Sequence, residues 1–249
     1  LNPEPMAEQY AAAQKVLAEK QKAGKAAADA LQGILSNTAA AKQKMAALDK
    51  TVADKTKAST AAKAAYDKLI AGKQKPAQAK IAATAKILPA TKAAKTAADK
   101  VLAAATAEVK KATDVFAAAD KVAKADAKNE DKKKATATAK SALDKLIAGK
   151  QKPAQTKATA AAKTLTDATA AKTAADKALT AVNAEVAKAD ALNKATAKAV
   201  TDAQNAAKTG KAALVKQVEG YNKQATTARA TLNTANAAVA ASQKESKSL

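Results

Sequence analysis

Large apolar residues recur along this chain at steps of three and four, separated by alanine and polar residues. Over residues 1–71 the stripe reads Met6, Tyr10, Ala13, Leu17, then Leu31, Leu35, Met45, Leu48, Val52, Tyr66 and Leu69. It resumes with Ile81, Leu88, Leu102, Val109 and Phe116, alanine or threonine filling the steps between. A third stretch gives Leu165, Leu179, Val182 and Val186, and a last one Leu214, Val218, Tyr221, Leu232 and Val239. Steps alternating between three and four average below the turn of a straight α-helix, so they predict left-handed supercoiling with knobs-into-holes packing. The positions off the stripe are mostly Lys, Asp, Thr, Asn and Gln, which suit a solvated helix face. The opening Asn2-Pro3-Glu4 has the chemistry of a helix start: a capping amide, a proline where no N–H is needed, and an acid near the positive dipole end.

The phrase DKLIAGKQKPAQ begins at Asp67 and again at Asp144. At the same offset of 77 residues, AKTAADKVL at 94–102 matches AKTAADKAL at 171–179, and Glu108-Val109 falls on Glu185-Val186. The chain therefore holds a tandem duplication. Inside the phrase, Gly72 and Gly149 are expected to be left-handed helix caps, and Pro76 and Pro153 to open the next helix. Each phrase thus reads as a helix corner. A second corner is expected at the charge cluster 128–134 and, one repeat later, at 205–211, while Pro89 reads as a kink or short break. These divisions give an N-terminal long helix at 1–71, repeats at 72–148 and 149–225, and a C-terminal end at 226–249. The expected fold is all-α: an elongated antiparallel helical bundle or coiled-coil rod built from helical-hairpin repeats. Its seam is expected to run through Leu31, Leu35, Leu48, Val52, Leu102, Val109, Phe116, Leu179, Val186, Leu214, Val218 and Leu232.

Composition thins the expected core. Hydrophobic residues make up 48%, but most are alanine; Leu, Ile, Val and Phe together number 34 of 249. That fraction is too low for a thick globular core, while six Gly and five Pro are too few for a flexible low-complexity chain. Alanine, lysine and glutamine favour helix, so the balance falls to long helices with thin seams. Pairs such as Asp120–Lys124 and Glu130–Lys134 sit at supportive i,i+4 spacing. The net charge of +22 is spread along the chain rather than gathered in a tail. It reads as a solvated lysine surface, with nonspecific contact to a polyanion as the alternative.

Chemistry is excluded more sharply than it is offered. There is no His and no Cys, so imidazole bases, thiol nucleophiles, disulfides and the usual zinc sites are absent. Asp and Glu are scattered among lysines with no calcium-loop spacing, and no phosphate-binding or dinucleotide fingerprint occurs. No catalytic residue, cofactor, metal or small-molecule substrate is expected. A single Arg and no Trp leave little for base readout or stacking. No apolar run reaches the length of a transmembrane helix. The expected partners are further copies of the chain or other subunits of an assembly.

Three textures are shared with known families. The Ala-, Lys- and acid-rich helical pattern resembles the stalk of TolA-type envelope proteins. It also resembles Ala/Lys-rich coiled-coil segments of planctomycete-type exported bacterial proteins. This resemblance implies an exported spacer, periplasmic, envelope-bound or extracellular. The stretch TKAAKTAADKV at 91–101 is similar to the eleven-residue motif of desiccation-protective LEA proteins, which implies a stress-protective chain that orders on drying. The KPAQ phrases resemble the Lys-Pro-Ala tails of linker histones and phasins, which implies nonspecific polyanion contact.

Overall fold

The computed structural model describes residues 4–248, and all of its secondary structure is helical. Helix α1 runs Glu4–Leu69, α2 Lys75–Ala125, α3 Glu130–Leu146 and α4 Lys152–Ser248. A five-residue π-helical turn, Ile70–Gln74, joins α1 to α2, and an identical one, Ile147–Gln151, joins α3 to α4. The capping residues expected at Asn2 and Pro3 lie outside the described residues.

The chain falls into two compact units, Ala65–Asp190 and Leu1–Ala64 with Ala191–Leu249. In the first, the chain reverses once, at 126–129, so that α2 lies against α3, and its Val101–Glu108 stretch borders Gly149–Lys157 around the start of α4. In the second, α1 lies antiparallel to the late part of α4. Lys20 Nζ donates to Ser242 Oγ at 2.7 Å, and Lys211 pairs with Asp49, so residue numbers rise along one helix as they fall along the other. The domain boundaries expected at 71/72, 148/149 and 225/226 all fall within helical segments.

Both units are all-α, antiparallel coiled coils with alanine at the centre of the seam. The fully buried hydrophobic residues are Ala105, Ala154, Ala158 and Ala175 in one unit, and Ala27, Ala41, Ala207 and Ala225 in the other. A methyl side chain lets two backbones approach closely, and the larger residues then flank the contact instead of filling it. Leu31, Leu48, Val52, Leu102, Val109, Phe116, Leu179, Val186, Leu214, Val218 and Leu232 are each half-buried, never fully enclosed. Leu35 is a correction. It is 40% exposed, and the seam passes through Ile34, three residues after Leu31, with Leu35 turned about 100° away. Met6 and Tyr10 are likewise exposed.

Threonines enter the seam without leaving a hydroxyl unpaired. Thr84 and Thr91 donate to the carbonyls of Ile81 and Leu88, each at 2.9 Å. Such back-bonding lets a β-branched polar residue occupy a partly buried position. No buried side-chain polar atom among the described residues lacks a partner.

Pro89 does not break α2, which continues to Ala125. The proline sits on the exposed face, where the carbonyl freed by its missing N–H can turn to water. The stretch 205–211 is also uninterrupted helix. There Gly210 has a packing reason: a Cβ would come within 2.9 Å of Leu48 Cδ1.

Candidate functional site: where the repeat copies meet

The duplicated phrases are not corners. Gly72 and Gly149 lie inside the two π-turns, and no residue among those described has a positive φ. The flanking residues are ordinary right-handed helix, as at Leu69 (φ −66, ψ −43) and Lys75 (φ −59, ψ −46). The turn is closed by the Lys75 N–H bonding to the Ile70 carbonyl, and in the second copy by Lys152 to Ile147. Proline explains the widening. Pro76 in a regular helix would press its ring on the Gly72 carbonyl and leave that carbonyl without a donor. Admitting one extra residue to the preceding turn relieves the contact.

The extra residue also shifts the seam. The half-buried stripe steps from Tyr66 to Gln74 and from Leu143 to Gln151, eight residues where a heptad would use seven. Within each step two adjacent residues, Leu69-Ile70 and Leu146-Ile147, are both half-buried. The π-turn absorbs the surplus, so the apolar face stays on the partner helix.

Each π-turn reaches across to the other copy of the repeat. Lys73 Nζ pairs with Glu185 Oε2 at 2.6 Å, and Gln74 Nε2 donates to Asn183 Oδ1 at 3.0 Å. Lys150 Nζ pairs with Glu108 Oε2 at 2.5 Å. Lys73 and Lys150 are equivalent positions of the duplication, and so are Glu108 and Glu185. The two ion pairs are therefore one contact made twice, related by a pseudo-twofold axis. All four side chains are about half exposed, so each pair fixes register more than it adds stability.

The true corner is at 126–129, inside the charge cluster. The Asn129 N–H bonds to the Asp126 carbonyl at 3.1 Å, and Asn129 Oδ1 accepts from the Lys132 N–H at 3.2 Å. Asn129 has the extended backbone of an N-cap (φ −87, ψ 106). Glu130 and Asp131 sit in the first turn of α3, near its positive dipole end. Asp126 pairs with Lys132 at 3.0 Å, and Asp120 with Lys124 at 2.7 Å. Glu130 pairs with Lys133, three residues on, at 2.7 Å, rather than with Lys134.

The structure thus brings together Gly72 and Pro76 with the α4 segment around Glu185, and Gly149 and Pro153 with the α2 segment around Glu108. Lys73, Glu108, Lys150 and Glu185 carry that contact, and Asn129 the reversal. Their sequence signals were the phrase itself, the matched Glu-Val pair and an Asn followed by two acids. A shallow surface depression lies along Leu165–Lys177 of α4 and is lined only by that helix. No cluster of three or more acidic side chains suited to a metal occurs among the described residues. No helix among them is long and apolar enough to cross a membrane.

No family model matches this chain, and no curated protein matches it. Among solved structures it is similar to a coiled-coil segment of Pyrococcus yayanosii Smc, at 13% identity over 94% of this chain and 96% of that one, with a TM-score of 0.34.

Proposed function

We propose that the chain is a non-enzymatic scaffold or spacer within a larger assembly. The observation that carries this reading is the seam itself: antiparallel helix pairing maintained through both units by alanines, with every insertion absorbed by a π-turn. Sequence has been spent on keeping two helices in register, and none on a cleft that gathers reactive groups. The exported setting belongs to the same proposal and rests on the resemblance to envelope stalks and exported coiled-coil segments. Far-UV circular dichroism with thermal melting tests the reading. A strongly helical chain with a cooperative transition supports an autonomous scaffold. A mostly disordered chain in plain buffer removes it and favours the stress-protective alternative.

A further inference from the structure

Helix α2 holds nine large apolar residues, and they occupy only two heptad positions. Five of them, Ile81, Leu88, Leu102, Val109 and Phe116, are the half-buried seam that faces the rest of the unit. The other four are Ile87, Val101, Val115 and Val122, which are 53%, 57%, 62% and 51% exposed. Each lies one residue before a seam position, and all four fall in a single heptad phase. Stepping back one residue rotates a position by about 100° around the helix. These residues therefore form a second stripe, a quarter turn from the first. The companion position three residues further on, at 90, 97, 104, 118 and 125, is alanine each time. The opposite flank carries Lys92, Asp99, Thr106, Thr113 and Asp120. One side of the seam is thus an uncovered coiled-coil face and the other is polar. Helix α4 shows no such face over 152–190, where every large apolar residue is in the seam.

Polar residues interrupt the stripe at Lys111 and at Glu108, whose half-exposed carboxylate also receives Lys150 of its own chain at 2.5 Å. Together Glu108 and Lys111 specify the occupant. When a second α2 is laid antiparallel on the stripe, with Glu108 opposite the other copy's Lys111, the twofold axis passes between residues 109 and 110. In that one register Val101 faces Ala118, Val115 faces Ala104 and Val122 faces Ala97. Three of the four large side chains meet a small one, Ile87 lying beyond the overlap of the two α2 helices, and the two charges meet their opposites twice. Apolar residues at steps of three and four give affinity, and a central charge pair sets register and orientation. An isologous contact of this kind closes on itself as a dimer.

We propose that the Val101–Val122 stripe of α2 is a self-association surface, on which a second copy of the chain packs antiparallel, α2 to α2, about an axis at residues 109–110. The proposal deepens the scaffold reading and rests on it. The test uses the full chain, with mass and association measured by sedimentation equilibrium and helicity by circular dichroism. The expected result is a dimer weakened at least ~10-fold by Lys111→Glu alone, which leaves the Glu108–Lys150 pair in place, and restored to within about threefold when Glu108→Lys is added. The chain has no cysteine of its own. Ala104→Cys with Val115→Cys should therefore form disulfide-linked dimers on mild oxidation, while either substitution alone should not. A helical chain that stays monomeric to about 0.2 mM would overturn this surface and leave the scaffold reading standing. A dimer indifferent to both charge reversals, or lacking the double-cysteine crosslink, would overturn it as well. A disordered chain would remove the scaffold reading itself, and the surface with it.

Discussion

Glycine has opposite meanings at two places in this chain. Gly72 and Gly149 have right-handed backbones, and a Cβ at either would meet nothing within 4 Å. Glycine there only adds entropy to the unfolded chain. Gly72→Ala and Gly149→Ala should each stabilise the protein by roughly 0.5–1 kcal/mol, read from chemical denaturation. Left-handed caps would give the opposite sign. Gly210→Ala should instead destabilise, because its methyl would displace Leu48 from the seam. At the corner, Asn129→Ala removes the amide that holds the Lys132 N–H and should cost about 1 kcal/mol, while Asn129→Asp should retain most of it.

At the level of the helix, the π-turn makes one insertion harmless. Removing Ala71 together with Pro76→Ala returns the step from Tyr66 to Gln74 to a plain heptad and needs no wide turn. Its melting temperature should stay within a few degrees of the parent. Deleting Ala107, on the exposed face of α2, rotates everything beyond it by about 100° and should lower the midpoint by ten degrees or more, unless a new irregularity forms. The heptad stripe was legible in the sequence because spacing alone fixes which face is apolar. The Gly-Lys-Gln-Lys-Pro phrase was misread because its composition suits a corner and a wide turn equally. What separates them is the phase of the stripe on either side, eight residues from Tyr66 to Gln74, and that phase extends beyond the phrase. Leu35 was misplaced for a related reason: next to Ile34, either residue fits a pattern read to within one position. The doublets Ile87-Leu88, Val101-Leu102 and Val115-Phe116 held the second stripe in plain view, and a search for a single seam passes over it.

Taken as a whole, the chain is dominated by lysine. Of the i,i+4 ion pairs, those at Lys50–Asp54, Lys110–Asp114, Lys140–Asp144, Lys163–Asp167 and Lys198–Asp202 are well exposed on both sides, and each places the cation before the acid. That is the weaker orientation on a helix, so each contributes at most a few tenths of a kcal/mol. The larger electrostatic effect is self-repulsion from a net charge of +22. Raising salt from ~10 mM to ~150 mM shortens the Debye length from about 30 Å to 8 Å and should raise the melting temperature. A fall over the same range, followed by circular dichroism, would mean that the cross-helix pairs outweigh the repulsion.

The pseudo-twofold contact has a consequence for the origin of the chain. A single copy of the repeat would already hold both halves of the ion pair, as Lys73 and Glu108. On one continuous helix those residues stand roughly 50 Å apart and cannot meet. Only a second molecule, running the other way, could close the contact. Gene duplication with the offset seen here, 77 residues, places an equivalent of each position on the returning helix and replaces that second molecule with a tether. An encounter that once depended on concentration becomes intramolecular, at an effective concentration set by four residues of corner.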